Sequence, residues 1–216
     1  MTAQLPPGFC LLHASAHLLV VDKPAGLLTV PGRGPDKADC LWRRVQAAYP
    51  DALIVHRLDM ATSGIVVLAR GAASQRALSI LFQERQVEKR YQALVSGVWT
   101  HEPVGSIDLP LIADWPNRPR QKVDFAVGRP SLTHYRWLEN DTLRQRARLE
   151  LRPVTGRSHQ LRVHLQALGH PILGDDLYGA APTGEAGARL MLHATRIAFA
   201  DPLSDARIDV ASPVPF

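Results

Sequence analysis

Cysteine is scarce in this chain. Cys10 and Cys40 are the only two, and their separation fits neither a zinc-binding pair nor a disulfide framework. A reduced, cytosolic protein is expected. No apolar run approaches the roughly 18 residues of a membrane span. The first residues, Met1 to Pro7, lack the basic-then-apolar order of a secretion signal. No Gly-rich phosphate cradle is present. Ser63 sits in Thr62-Ser63-Gly64, not in a Gly-x-Ser-x-Gly elbow, so a turn role is expected for it. His159 and His164 are five apart with no Glu between them, unlike the zinc-protease helix. Hydrogen-bonding histidines are expected there and metal ligation is not. Internal repeats, heptads and low-complexity blocks are also missing. Without a coiled-coil seam, the expected state is a monomer.

What is present points to a folded, basic protein. The 216 residues suit one large domain or two small ones, and 46% are apolar, enough for a core. Net charge is +5, the electrostatic footprint of a phosphate-rich partner. Leu11-Leu12 and Leu18 to Val21 read as strands, the second ending in the turn Asp22-Lys23-Pro24-Ala25-Gly26. Leu41 to Tyr49 reads as a helix and Ile65 to Ala69 as a strand. Ala77, Leu78, Leu81 and Phe82 form the stripe of a helix over Ala72 to Glu84. Tyr91 to Trp99 is a strand with Tyr91, Ala93 and Val95 on one face. Leu109 to Lys122 is an extended, basic, proline-containing stretch. In Arg144 to Arg152, Ala147, Leu149 and Leu151 alternate with charged residues, as in a half-buried strand. Ser158 is placed to cap a helix with Leu161, Leu165 and Leu168 on its face, ended by Gly169 and Pro171. Leu190 to Ala200 is a further strand. This mixture predicts an α+β fold with a mixed, largely antiparallel sheet flanked by helices.

The chemistry centres on His56-Arg57-Leu58-Asp59, followed by Met60-Ala61-Thr62-Ser63-Gly64 and an apolar strand. Asp59 is thus a carboxylate at the mouth of a rigid element, where a nucleophile is useful. To attack carbon it must be partly desolvated and still ionised, which calls for a cation. His56 and Arg57 are local candidates; Arg157, in Thr155-Gly156-Arg157-Ser158-His159-Gln160, is a distant one. Taken alone, Asp59 is better explained by a structural salt bridge, since ion-pair networks are common.

Its context adds five further motifs. Val21-Asp22-Lys23-Pro24-Ala25-Gly26 precedes it. Lys89-Arg90-Tyr91 with Ala93 and Val95, Gly156-Arg157-Ser158-His159-Gln160-Leu161-Arg162-Val163-His164, His170-Pro171-Ile172-Leu173-Gly174-Asp175 and Leu192-His193-Ala194 follow. One such match is weak, but the ordered set is specific. Together they resemble the motif series of the RluA-type pseudouridine synthases. The segment Leu109 to Pro119, with Asp114-Trp115-Pro116-Asn117-Arg118-Pro119, is similar to the dual-specificity branch. The resemblance implies isomerisation of uridine to pseudouridine in a 23S rRNA hairpin and in the anticodon loop of certain tRNAs. It also implies the pseudouridine synthase fold, no cofactor, and one catalytic domain over residues 1–216 without the S4 RNA-binding domain of many relatives.

By the same resemblance, Asp59 is the nucleophile or the carboxylate that assists glycosidic cleavage. Tyr91 packs on the target base and serves in proton removal. Arg157 keeps Asp59 ionised, Arg57 contacts RNA near the vacated base position, and Leu161 walls the base. His56 joins the RNA-contacting set. A base must leave its stack before it is reachable, at a cost of a few kcal/mol, and phosphate contacts offset this. Arg33, Arg43, Arg44, Arg118, Arg120 and Lys122 are candidates for those contacts; Trp115 suits either base stacking or packing. Rival readings are a single-target enzyme, a non-catalytic RNA-binding protein of this fold, and a glycosidase-like hydrolase. The last usually needs two carboxyls, and no second acid is evident beside Asp59.

Overall fold

The elements run β1 (Cys10–Ala14), β2 (Leu18–Lys23), α1 (Leu41–Ala48), β3 (Ala52–Ile54), β4 (Ser63–Arg70), α2 (Gly71–Gln83), β5 (Glu88–Ser96), β6 (Val104–Asp108), β7 (Leu111–Ala113), β8 (Gln121–Val123), β9 (Leu132–Asp141), β10 (Arg146–Pro153), α3 (Gln160–Ala167), β11 (Leu192–Ala200) and β12 (Arg207–Ala211). They are taken from a computed structural model that describes residues 8–179 and 189–216. The Met1 to Pro7 stretch read above for a secretion signal lies outside them. Contacts divide the chain into two compact units. One comprises residues up to Lys89 with Ala194–Pro215, the other Arg90–His193 with Phe216.

In the first unit β2 and β4 pair antiparallel, Val20 opposite Val67 and Asp22 opposite Ile65. Leu18 to Val21 and Ile65 to Ala69 are all buried. Strands covered on both faces are apolar without alternation, which is how these runs read. β1 pairs with β2, and β3 with the far end of β4. β11 lies beside β4 and carries β12 antiparallel on its other edge. The helical stripe is used as its spacing predicts: Leu78 of α2 is buried in a core with Leu18, Val20, Val67 and Phe199, and Leu81 and Phe82 pack against it.

In the second unit β5, β10, β9 and β6 form an antiparallel series. Tyr91 stands opposite Leu151, Ala93 opposite Leu149, and Val95 opposite Ala147. Cross-strand partners share a face, so the two alternating sets predicted from sequence form one surface. β5 starts earlier than expected, at Glu88, and stops at Ser96. Gly97 turns the chain there with φ 83°, leaving Trp99 outside the strand. The basic stretch after Leu109 is not simply extended. β7 and β8 make a separate hairpin whose tip includes a 3-10 turn at Trp115–Asn117.

α3 departs from its predicted cap. The residue before its first turn is His159, left-handed at φ 54°, and Ser158 is exposed. No side chain caps the helix, and the His159 ring instead contacts the Tyr178 hydroxyl at 2.7 Å. Nor is the helix simply amphipathic. Gln160 to Leu165 are all buried, polar residues included.

Candidate active site

Asp59 lies, half-buried, between β3 and β4. Its carbonyl accepts the Thr62 N–H at 3.1 Å, closing a turn. Both neighbours are tied down. Leu58 donates its N–H to Thr29 Oγ1 at 3.2 Å and accepts the Thr29 hydroxyl at 2.8 Å. The Met60 carbonyl accepts from the Gly26 N–H at 2.8 Å and from Lys23 Nζ at 3.1 Å. Lys23 is fully buried, and its ammonium also donates to the carbonyls of Pro24 and Leu27 at 2.9 and 2.8 Å. A buried charge survives only where protein dipoles replace water. Here those carbonyls do so, and one of them belongs to the residue after Asp59. The Asp22-Lys23-Pro24 motif therefore clamps the aspartate loop. Sequence reading took it for a turn and a family motif, without a role for Lys23; the signal for one was a lysine two residues beyond the apolar run Leu18 to Val21.

Gly64 ends the loop. Its φ is 112°, and a Cβ would lie 2.4 Å from the Ala194 carbonyl oxygen and 2.5 Å from the Ala194 nitrogen. Backbone cannot yield to that overlap, so the position admits only glycine.

His56 does not act as the local cation. Its Nε2 accepts the Val67 N–H at 2.9 Å, and its ring stacks on Phe82 with centroids 4.4 Å apart. An accepting nitrogen carries no proton. Burial, together with the nearby Lys89 charge, pushes the imidazole down to about 3. His56 is neutral and fastens the loop to β4. Arg57, next to it, is exposed. Arg44, a candidate phosphate contact, instead forks onto Asp39 at 2.8 and 2.6 Å.

Arg33 and Arg43, also in the first unit, are exposed, and the second unit holds the other candidates. Tyr91 is half-buried on β5. Arg157 and Leu161 flank the start of α3, and the fold there turns on a residue that sequence reading passed over. Buried Gln160 accepts the Arg157 N–H at 3.0 Å and the Thr155 hydroxyl at 2.7 Å through Oε1. Its Nε2 donates to the Leu132 carbonyl and to Thr133 Oγ1, both at 3.0 Å. One amide thus fixes the loop bearing Arg157 to β9. His164 is buried between Thr133 Oγ1 at 3.0 Å and the Leu109 carbonyl at 3.1 Å, and burial lowers its pKa. His159 and His164 are hydrogen-bonding histidines, as expected.

Arg162 is buried and forks onto Asp175 at 2.7 and 2.6 Å. Asp175 Oδ1 also accepts the N–H groups of Leu177 and Tyr178, each at 2.9 Å. Tyr178 then accepts the Gln121 N–H at 2.7 Å. This chain of bonds runs from α3 to the β7–β8 hairpin, which carries Arg118 and Lys122, both exposed. Tyr178 was missed from sequence because its motif was read only as far as Asp175.

Comparisons with known proteins point to one family. The family profile described as RNA pseudouridylate synthase matches residues 17–167. The dual-specificity RNA pseudouridine synthase RluA of Escherichia coli (strain K12) is 46% identical over 212 residues, covering 97% of this chain and 95% of that protein. Its counterpart in Salmonella typhi is 48% identical over 198 residues, covering 91% and 89%. Among solved structures, human RNA pseudouridylate synthase domain containing 1 superposes with a TM-score of 0.80 at 29% identity, covering 97% of this chain and 84% of the other. Domain containing 4 gives 0.76 at 25% identity, covering 95% and 88%.

Proposed function

The chain belongs to the RNA pseudouridylate synthase family, and on that premise we propose that it converts uridine to pseudouridine in two kinds of RNA loop, one in 23S rRNA and one in the anticodon arm of tRNA. The enzyme is an isomerase: the bond from C1′ to the base nitrogen breaks, and C1′ rebonds to C5 of the same base. The observation that carries the reading is the position of Asp59, Tyr91 and Arg157 in ordered motifs inside the matched residues.

Asp59 is the nucleophile. Tyr91 packs on the base and serves the proton transfer that restores the aromatic ring, and Arg157 supplies the positive charge that favours an ionised carboxylate. Leu161 contributes apolar wall. Arg57, Arg118 and Lys122 bind the RNA. His56, with one nitrogen and one ring face already engaged, contributes to RNA binding by holding Arg57 and Asp59 in place. Support for a nucleophile at residue 59 comes from the rigidity of its loop, which is anchored on either side by buried Lys23 and Thr29. The chemistry exchanges bonds within one nucleotide and calls for no cofactor.

The test uses an anticodon stem-loop and an rRNA hairpin, each tritiated at uridine C5, with EDTA present. Rebonding at C5 expels tritium into water. Release from both RNAs, reduced by at least about three orders of magnitude in Asp59→Asn with RNA binding retained, is the expected result. Release from one RNA alone makes the enzyme single-target. Binding without release from either overturns the proposal in favour of a non-catalytic RNA-binding protein, and free uracil in place of an isomerised nucleoside in favour of a hydrolase.

A further inference from the structure

Most exposed large apolar residues stand singly, as on any protein surface. Trp115 (64% exposed), Phe125 (78%) and Val127 (67%) are different, because all three belong to the β7–β8 hairpin and the loop that follows it. Residues 111–129 also carry four cations, Arg118, Arg120, Lys122 and Arg129, against two carboxylates, Asp114 and Asp124. Exposed aromatics among cations, on one element, are the composition of a single-strand nucleic-acid platform.

The hairpin is pre-shaped for that use. At its tip the Asp114 N–H donates to the Arg120 carbonyl at 2.9 Å, and the Arg120 N–H donates to the Asn117 carbonyl at 3.0 Å. Asn117 closes onto Asp114 through its backbone N–H at 3.0 Å and its side-chain amide at 2.9 Å. In the following loop Asp124 Oδ1 accepts the N–H groups of Ala126 and Val127 at 3.0 and 3.1 Å. These bonds hold apolar side chains out in water, a cost that packing within the unit does not repay. The Arg118 guanidinium lies 3.3 Å from the Trp115 ring centroid. One face of the indole is thereby covered by a cation, while most of the side chain remains exposed.

We propose that the β7–β8 hairpin reads an unpaired nucleotide of the substrate RNA: a base stacks on the face of Trp115 opposite Arg118, and Arg118 and Lys122 bond the phosphates on either side of it. This rests on RNA being the substrate and adds a residue that selects loops over duplex. A stacked base in a helix has no free face to offer, whereas every unpaired base does. Trp115 acts on RNA affinity, not on bond making.

The test measures binding of the full chain to a labelled stem-loop with uridine in its loop, and to a fully paired duplex of matched length and composition. Trp115→Ala is expected to weaken stem-loop binding about tenfold and to leave duplex binding unchanged, with Trp115→Phe keeping most of the affinity. In tritium release the same loss appears in KM, with kcat at saturating RNA retained. Equal weakening on both RNAs, no weakening, or a loss confined to kcat overturns the proposal. If unsubstituted protein releases tritium and Trp115→Ala does so with unchanged KM, only the hairpin assignment fails. If unsubstituted protein neither binds nor converts RNA, the functional reading fails with it.

Discussion

His56 shows how a catalytic-looking residue can act through structure. Four residues bring a histidine, an arginine and an aspartate together, and the simplest electrostatic reading pairs all three. The bond from the Val67 N–H decides otherwise, because it requires an unprotonated Nε2. The consequence is a pH dependence of stability with a definite sign. In the unfolded chain His56 titrates near its ordinary 6.5, whereas in the fold burial and Lys89 hold it to about 3. The unfolded state therefore binds the extra proton, and stability falls as pH drops from about 6.5 towards 3. Above that window the contribution is complete. Between pH 6.5 and 5, where most carboxylates are still ionised, His56→Gln should flatten the decline by up to one proton's worth, about 1.4 kcal/mol per pH unit. Urea unfolding at closely spaced pH values measures it, and parallel slopes for the two proteins would show His56 to be charged in the fold.

At the scale of elements, α3 and its preceding loop show how polar groups organise a buried segment. Gln160 satisfies two donors, on Thr155 and Arg157, and two acceptors, on Leu132 and Thr133. Gln160→Leu keeps the bulk and removes the bonds, leaving the Arg157 N–H without its acceptor, while the Leu132 carbonyl keeps the Val154 N–H at 3.0 Å. About 1–3 kcal/mol is lost for a buried group left unsatisfied, so a loss of that size is expected from the unfolding midpoint at constant m-value. A loss below about 1 kcal/mol would mean that water replaces the amide. Polar burial of this kind also marks the limit of what the sequence discloses. β2, β4, α1 and α2 were legible because their apolar spacing is their packing. β9 was not, since its inward residues include the polar Thr133 and Tyr135, alternating with exposed His134 and Arg136, and a register shift opposite Arg148–Leu149 breaks the period. Short β3, β6, β7, β8 and β12 have too few residues to show a period. At the candidate site, Asp59, Tyr91 and Arg157 were picked out by motif. Lys23, Thr29 and Gln160 were passed over as functional residues, because a residue that binds backbone carbonyls and amides looks like any other polar residue until the chain folds around it.

For the whole molecule the relevant quantity is charge. Lys and Arg exceed Asp and Glu by 25 to 20. The carboxylates of Asp39, Asp124, Asp141 and Asp201 have pKa values held below the usual range by hydrogen bonds and cations that outweigh desolvation, so they stay ionised well below neutrality. The positive excess is thus a net figure after substantial internal pairing, and RNA must compete for cations that already have partners. Lys122, 3.6 Å from Asp124, is one such cation. Arg118, stacked on Trp115, gives up no ion pair in the hairpin when it meets a phosphate. The two should therefore differ in a salt titration. Each phosphate neutralised contributes about 0.7–0.9 to the slope of log affinity against log salt. Arg118→Ala should lower the slope for a stem-loop by that full amount. Lys122→Ala should lower it by less, because Asp124 already neutralises part of the Lys122 charge and fewer counterions leave at its phosphate. Measured from low to high KCl, equal changes in slope would mean that Asp124 releases Lys122 without cost; no change for Arg118→Ala would mean that its guanidinium serves the indole alone and leaves phosphate binding to other cations.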